Sequence, residues 1–351
     1  MSDEPTTHAI AVIVRSRAPG RVNVIGDHTD YTRGLAMPMA IDLATTVEVR
    51  RGGDVVTLRS AQEAGVAVVP ITVDGDEIRG TEPGWARYVA GVVAEIGPES
   101  GARGTVTTTL PVGAGLSSSA ALEVAVALAL GSEADPRTLA LVCQRAENRA
   151  SGVPCGVMDQ LAITSGVAGC LMRIDCHSLE VTPVHLDDSL MVVGVHSGQA
   201  RTLDGSEYGR RRAECEAAEV EIGPLRDAAV IDIEGLRDST LRRRARHVVT
   251  ENARVAAFAD AIQGGHLHDA GRLMAASHVS LRDDFEVSTP VVDDLVERLQ
   301  ATPGVYGARM TGAGFGGVVV ALCDATADVA AAFGGWRFRP SQGATVEVIE
   351  D

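Results

Sequence analysis

Four runs in the first third of the chain, Ala9–Val14, Ala40–Arg50, Val55–Ser60 and Thr105–Leu110, are rich in β-branched residues or alternate apolar with polar positions. Each predicts a strand. Trp85–Ile96 repeats its apolar residues at helical spacing, and the Ala/Leu/Val-rich run Ser117–Leu130 predicts a buried helix. Arg137–Ala150 predicts another, bounded by Pro136 at its start and Gly152 past its end. Val181–Asp188, with one proline and two acidic residues, is the natural boundary, dividing the chain into 1–186 and 187–351. Beyond it, Leu190–Val195 predicts a strand and Ser206–Glu221 a helix. Helical patterns follow over Asp238–His278 and Val291–Leu299, and strands over Tyr306–Met310, Gly317–Leu322 and Thr345–Ile349. Strands and helices mix without regular βαβ alternation, which predicts two α+β domains rather than one doubly wound sheet. There is no internal repeat and no low-complexity segment.

Composition narrows the chemistry. Of 351 residues, 45% are hydrophobic and 22% charged, ample for a sizeable globular core. The net charge of −16 makes a nucleic-acid partner a poor expectation. The chain contains no lysine, so all 31 basic residues are arginine. That excludes a Walker A loop, the protein-kinase fold and Schiff-base chemistry, each of which requires an amine. Any phosphate must be held by backbone amides, arginine or a metal.

The six cysteines form no C-x-x-C pair and predict buried, reduced thiols. The start, MSDEPTTHAIAVIV, lacks a basic region before its apolar run, and the longest apolar stretch, near Ala120–Leu130, falls short of a bilayer span. A cytoplasmic protein without a membrane partner is therefore expected, and no obligate protein partner is evident. The arginine runs Arg210–Arg212 and Arg242–Arg244 have no aromatic platform beside them and predict solvated faces or intrahelical ion pairs.

Three glycine-bearing segments carry candidate chemistry. Gly20–Tyr31 places Arg21, Asp27, His28 and Asp30 around a short apolar strand. Carboxylates there suit recognition of vicinal hydroxyls, and a plain polar turn is the alternative. In Pro111-Val112-Gly113-Ala114-Gly115-Leu116-Ser117-Ser118-Ser119-Ala120, small residues lead into three serines that open a helix. Unpaired amides and the dipole at a helix start make an anion site without lysine, and the serines can add a metal ligand. The competing reading is that one serine simply caps the helix. The third segment, Arg309–Gly317, formally contains G-x-G-x-x-G, but the strand-like Val318–Leu322 follows it, whereas a dinucleotide fingerprint must open a helix. A hairpin-like loop touching an active site fits better, which disfavours a nicotinamide oxidoreductase. Finally, Glu147 precedes Pro154-Cys155-Gly156-Val157-Met158-Asp159-Gln160. A carboxylate in so apolar a stretch calls for a partner, and Asp159 alone reads equally as a helix-capping or ion-paired residue.

Together these segments resemble the GHMP small-molecule kinases, and the galactokinase family in particular. Gly20–Tyr31 fits that family's N-terminal signature, PVGAGLSSSA its phosphate loop, CGVMDQ its catalytic segment and RMTGAGFGG its C-terminal glycine loop. Ser277–Ser288 and Ser206-Glu207-Tyr208 are similar as well, so the likeness spans nearly the whole chain.

The resemblance implies a two-lobed fold, with an N-terminal ribosomal-S5-domain-2-like domain over 1–186 and a C-terminal ferredoxin-like domain over 187–351. It implies transfer of a phosphoryl group from ATP to O1 of α-D-galactose, with Mg²⁺. Residue by residue, it makes Asp159 and Arg21 catalytic, and Asp27, His28, Asp30, Gly156 and Tyr208 sugar-contacting. It makes Gly113, Gly115, Leu116, Ser117, Ser118, Ser119 and Ala120 ATP-binding, and Ser119 with Glu147 metal-associated. Three departures bear on the sugar: Asp27 where many members have Glu, Thr32-Arg33-Gly34, and Val195-His196-Ser197-Gly198. They leave open a related sugar-1-kinase acting on N-acetylgalactosamine, galacturonate or arabinose. A catalytically silent sensor is disfavoured, because the phosphate loop and the aspartate are both present.

Overall fold

The computed structural model describes residues 13–111, 113–199 and 205–349. The start of the predicted Ala9–Val14 strand lies outside them, as does Val112 of the phosphate loop. Strand β1 (Ile13–Ile25) runs on through Arg21 and pairs antiparallel with β2 (Leu35–Arg51). The hairpin β3 (Val55–Ser60) and β4 (Val66–Pro70) forms one edge. After α1 (Ala86–Ile96), β5 (Ala102–Thr108) slots between β2 and β3, antiparallel to the first and parallel to the second. Then come α2 (Ser118–Ala129), α3 (Pro136–Ser151) and α4 (Met158–Ser165). Helix α2 is apolar on almost every side and packs against β1, β2, α1 and α3, as a fully enclosed helix must. Helix α3 begins where Asp135 caps the amides of Arg137 and Thr138, and ends at Gly152, whose φ of 73° closes it in the left-handed region.

Next, β6 (Cys170–Asp175) and β7 (Glu180–His185) form a hairpin attached to the start of β2. The candidate boundary segment Val181–Asp188 overlaps this hairpin. Most of it is strand, and Pro183 is tolerated because β7 is an edge that pairs only with β6. The chain crosses to the second lobe in the turn that follows, where the Leu190 amide donates to the Asp187 carbonyl at 2.9 Å.

The second lobe contains β8 (Leu190–His196), α5 (Gly205–Ile222), α6 (Val230–Ile233), α7 (Ser239–Gln263), α8 (Leu267–Asp283) and α9 (Pro290–Gln300). It continues with β9 (Val305–Met310), β10 (Val318–Asp324), α10 (Val329–Phe333), β11 (Trp336–Phe338) and β12 (Thr345–Ile349). Its antiparallel sheet has the order β11-β8-β10-β9, while β12 returns to pair with β1, giving the first sheet the order β12-β1-β2-β5-β3-β4. The helical patterns over Asp238–His278 are two helices, α7 and α8, parted at Gly264, Gly265 and His266. Helix α8 lies directly on β9: a Cβ on Gly271 would come within 1.8 Å of the Tyr306 carbonyl, so only glycine permits that approach.

The arginine runs divide. Arg210 and Arg212 make intrahelical ion pairs with Glu207, Glu214 and Glu216, as expected. Arg211 and Arg244 do not lie on solvated faces; they are 3% and 2% exposed. Arg211 donates to the carbonyls of Phe285 and Glu286 at 2.7 and 2.8 Å. Arg244 donates to the Asp284 carbonyl and pairs with Glu214 and Glu286 at 2.6 and 2.7 Å. A planar, many-donor guanidinium can satisfy several acceptors at once, and here it secures the turn in which Glu286 adopts a φ of 55°.

All six cysteines are free, with Cys143, Cys176, Cys215 and Cys323 buried and Cys155 and Cys170 partly so. Among the described residues no helix is long and apolar enough to cross a membrane. Replacing Arg244 by Ala should lower stability by about 1–3 kcal/mol, because a buried guanidinium and its charge-assisted hydrogen bonds are lost. Urea denaturation checks this, and an unchanged midpoint would show that solvent already satisfies the turn.

Candidate active site

A cavity of about 870 Å³ runs between the end of β1, the start of α2, α4 and the glycine loop between β9 and β10. Arg21 sits on β1 and is 7% exposed. Its guanidinium grips Asp159 through two parallel hydrogen bonds, Nε to Oδ1 at 2.6 Å and Nη2 to Oδ2 at 2.5 Å. Its remaining terminal nitrogen donates to the Gly115 carbonyl at 2.8 Å. Asp159, in the first turn of α4, also accepts from the Ser117 hydroxyl. It is therefore ion-paired rather than a helix cap.

The phosphate-loop segment leaves β5 and turns at Gly113 and Gly115, with φ values of 76° and 77°. Ser117 itself is left-handed at 57° and makes no side-chain cap, its hydroxyl going to Asp159 instead. Ser119 donates to Glu147 Oε1 at 2.7 Å. With no side-chain cap on α2, the first-turn amides stay open to the cavity, which answers the simple capping alternative. Leu116 and Ala120, by contrast, point into the hydrophobic core, and Leu116 contributes a carbonyl that accepts the Arg21 amide at 3.2 Å.

Glu147, on α3, faces the same end. Gln160 donates to its Oε2 at 2.6 Å, and the Cys155 thiol lies 3.8 Å from that atom. Burial, then the charge of Asp159, pushes the Glu147 carboxyl above its ordinary value, while the Ser119 and Gln160 hydrogen bonds oppose the shift. Behind it lies Glu123, fully buried, with neither carboxylate oxygen hydrogen-bonded. Burial foremost, then Glu147, raises Glu123 well above the ordinary carboxyl range, which favours its neutral form.

The opposite end is built by the turn after β1. Gly26, with φ of 92°, lets the chain reverse, and His28 is held left-handed at 63°. The His28 ring lies 4.7 Å from Phe285, 5.8 Å from Tyr208 and 5.9 Å from Tyr31, and its Nδ1 is 2.9 Å from the Tyr31 hydroxyl. Burial first, then the neighbouring His247, pulls His28 down to about 3, so it is neutral at physiological pH. The turn held by Arg211 and Arg244 thus presents Phe285 as the back wall of this end. Asp30 lies against Gly156 so closely that a Cβ there would fall 1.7 Å from its carboxylate. Burial, then Asp159, raises Asp30 to about 6.

The cavity therefore gathers Arg21, Asp27, His28, Asp30, Asp159 and Tyr208 with Gly113, Gly115, Gly156, Glu147 and the three serines. Gly312 and Ala313 line it too, as a loop touching the site should. The departures at Thr32 and His196 do not lie on its wall: Thr32 is buried and donates to the Thr29 carbonyl, and His196 accepts from the Gly198 amide. The sequence reading missed the far wall, where Trp85 and Tyr88 stand near Ser60, Glu63 and Thr108. A Trp and a Tyr at i, i+3 at the start of a predicted helix were the available signal in a chain only 3% aromatic.

A helix start without a side-chain cap beside an arginine-bound carboxylate, in a cavity lined from both lobes, is the arrangement expected of a small-molecule kinase of the GHMP class. The GHMP kinases N terminal domain matches residues 86–167 and the GHMP kinases C terminal domain residues 258–339. The fold is also shared with mevalonate kinase from Methanococcus jannaschii, at a TM-score of 0.66 and 18% identity over 97% of this chain and all of that one (100%). The galactokinase galactose-binding signature matches residues 9–51. Curated galactokinases from Bos taurus and Homo sapiens are 44% and 43% identical over 327 residues, covering 88% of this chain and 83% of each relative. A solved structure of Lactococcus lactis galactokinase complexed with galactose superposes at a TM-score of 0.86, with 33% identity over 95% of both chains. The chain belongs to the galactokinase family.

Carboxyl carbon-13 titration should show one aspartate with a midpoint near pH 6, absent in Asp30→Asn. Because folding raises this pKa from 3.8, the contribution of Asp30 to stability is full in acid and is lost as pH rises through about 6. The Asn variant should therefore gain melting temperature relative to wild type as pH rises from about 4 to about 6, with the gain level above that. A midpoint near 4 would show Asp30 to be well solvated.

Proposed function

We propose that this chain is an ATP-dependent sugar kinase that phosphorylates α-D-galactose at O1, giving galactose 1-phosphate and ADP. The observation that carries the reading is the Arg21–Asp159 pair, tied at once to the Gly115 carbonyl of the phosphate loop and to Ser117. It sits between an anion-binding end and an end lined with hydrogen-bond acceptors, where two substrates would have to meet.

In this reading Gly113, Gly115 and the serines hold the triphosphate with backbone amides and the α2 dipole. Trp85 and Tyr88 flank the nucleobase. Asp27, His28, Asp30, Gly156 and Tyr208 form the sugar side. Asp159 accepts the hydrogen bond of the sugar O1–H and aligns that oxygen, while Arg21 fixes the carboxylate and offsets negative charge. The O1–Pγ bond forms, the bond from Pγ to the β,γ-bridging oxygen breaks, ADP leaves, and the O1 proton is released to solvent. Such a reaction draws mostly on alignment and charge neutralisation, which this lysine-free set provides.

The Ser119 hydroxyl and Glu147 carboxylate are hard oxygen donors suited to Mg²⁺. Among the described residues no group of three or more His, Cys, Asp or Glu could hold a metal alone, which fits an ion shared with nucleotide phosphates. When bound, Mg²⁺ supplies charge neutralisation at those phosphates. We assign the two domains to 1–186 and 187–351, with β12 returned to the first, and the location to the cytoplasm.

Replacing Asp159 by Asn should lower kcat about 10²–10⁴-fold while ATP-analogue affinity, measured by calorimetry, stays within a few-fold. Wild-type kcat in that variant would remove Asp159 from the reaction. The broader test is ADP release with Mg·ATP over galactose, glucose, N-acetylgalactosamine, galacturonate and arabinose. Turnover on galactose above the rest is expected. Preference for another sugar would keep the mechanism and change the substrate, and silence on all five would overturn the assignment.

A further inference from the structure

Asp27 lines the cavity yet is only 2% exposed, and its carboxylate is held from the second lobe. Oδ1 accepts the Gly312 amide at 2.8 Å, and Oδ2 lies 2.6 Å from Nη2 of Arg309. Arg309, on β9 of the second lobe, is fully buried. It also donates to the Val24 carbonyl on β1 at 3.2 Å, and its Nη2 stands 3.9 Å from Glu251 on α7. Glu251 in turn accepts from the Gly26 amide at 3.0 Å and from Arg254 at 2.6 Å. Two guanidinium groups and two carboxylates thus balance in charge within the interior. His247 approaches the Asp27 carbonyl at 3.1 Å and completes the enclosure.

We propose that Arg309 is a positioning residue for the sugar: through Asp27 it sets the turn carrying His28 and Asp30, and through the Asp27–Gly312 bond it sets the glycine loop. The reason is geometric. The sugar end has one wall from the first lobe and another from the second, and this cluster fixes the distance between them. Asp27 reaches the glycine loop with its short side chain, so its carboxylate joins the two lobes at the edge of the cavity it lines. Removing the Arg309 charge leaves Asp27 buried and unbalanced, which drives the turn to rearrange.

This inference rests on the galactose-kinase reading of the same cavity. Its test is steady-state kinetics with each substrate varied in turn, on wild type, Arg309→Met, Arg309→Lys, Asp27→Asn and the double variant Asp27→Asn/Arg309→Met. Arg309→Met should raise the galactose KM at least tenfold and leave the ATP KM within about twofold, with Lys restoring part of the loss. The double variant should be less impaired than the product of the single effects, because it removes both charges together. An unchanged galactose KM in Arg309→Met overturns the proposal. So does a parallel loss of affinity for both substrates that tracks the melting temperature, which is what a merely structural role would give. If Arg309→Met does not fold, the Lys and Asp27→Asn variants decide by the same KM comparison. A wild-type enzyme inactive on every sugar would instead sink the functional reading itself.

Discussion

The bidentate bond between Arg21 and Asp159 is the constraint around which the first lobe is arranged. One guanidinium on β1 reaches α4 and the phosphate loop simultaneously. Its fork geometry leaves little freedom, so the carboxylate, the loop carbonyl and the strand must keep a common registration. Ser117 adds a further tie from the head of α2. What results is a rigid seam at the place where the two substrates would meet.

Around that seam the chain manages buried charge with arginine alone. Arg21, Arg211, Arg244 and Arg309 are each under 8% exposed and each spans two or more elements. A compact ammonium offers donors from a single centre, whereas guanidinium donors spread in a plane and can meet carbonyls and carboxylates on different elements. The lobes thereby share polar fastenings under the turn that carries His28 and Asp30, while apolar packing of α2 and α8 holds the sheets. Glu123 is the exception, a buried carboxyl without a hydrogen-bonding partner near the Ser119–Glu147 pair.

Much of the fold was legible. The strand patterns at Val55–Ser60 and Leu190–Val195 and the helix patterns at Trp85–Ile96 and Arg137–Ala150 recur within a residue or two of the observed ends. Their periodicity is local, and their caps are written beside them. The elements not anticipated, β4, α4, β6, β7, α6, α10 and β11, are short or lie at sheet edges, where pairing rather than pattern makes the strand. The helical stretches over Asp238–His278 resolve into α7 and α8, separated by Gly264, Gly265 and His266. The site was legible as segments, since the glycine turns, the serines and the Arg21, Asp27, His28 and Asp30 set are contiguous runs.

By itself, the sequence determined the chemistry on offer: no amine, a glycine loop heading an apolar helix, and carboxylates placed after glycines. Residue type and spacing are properties of the chain, and they follow from local sterics and hydrogen bonding. Only the tertiary structure decided who partners whom. Asp159 could have capped α4, yet it receives Arg21 from 138 positions away. Asp27 could have faced the cavity freely, yet it is held by Arg309 from the other lobe. Trp85 gained its place on the cavity wall only when α1 docked against α2, α3 and β4. Such pairings depend on which groups are left without water once the lobes close, and that cost exists only in the folded molecule.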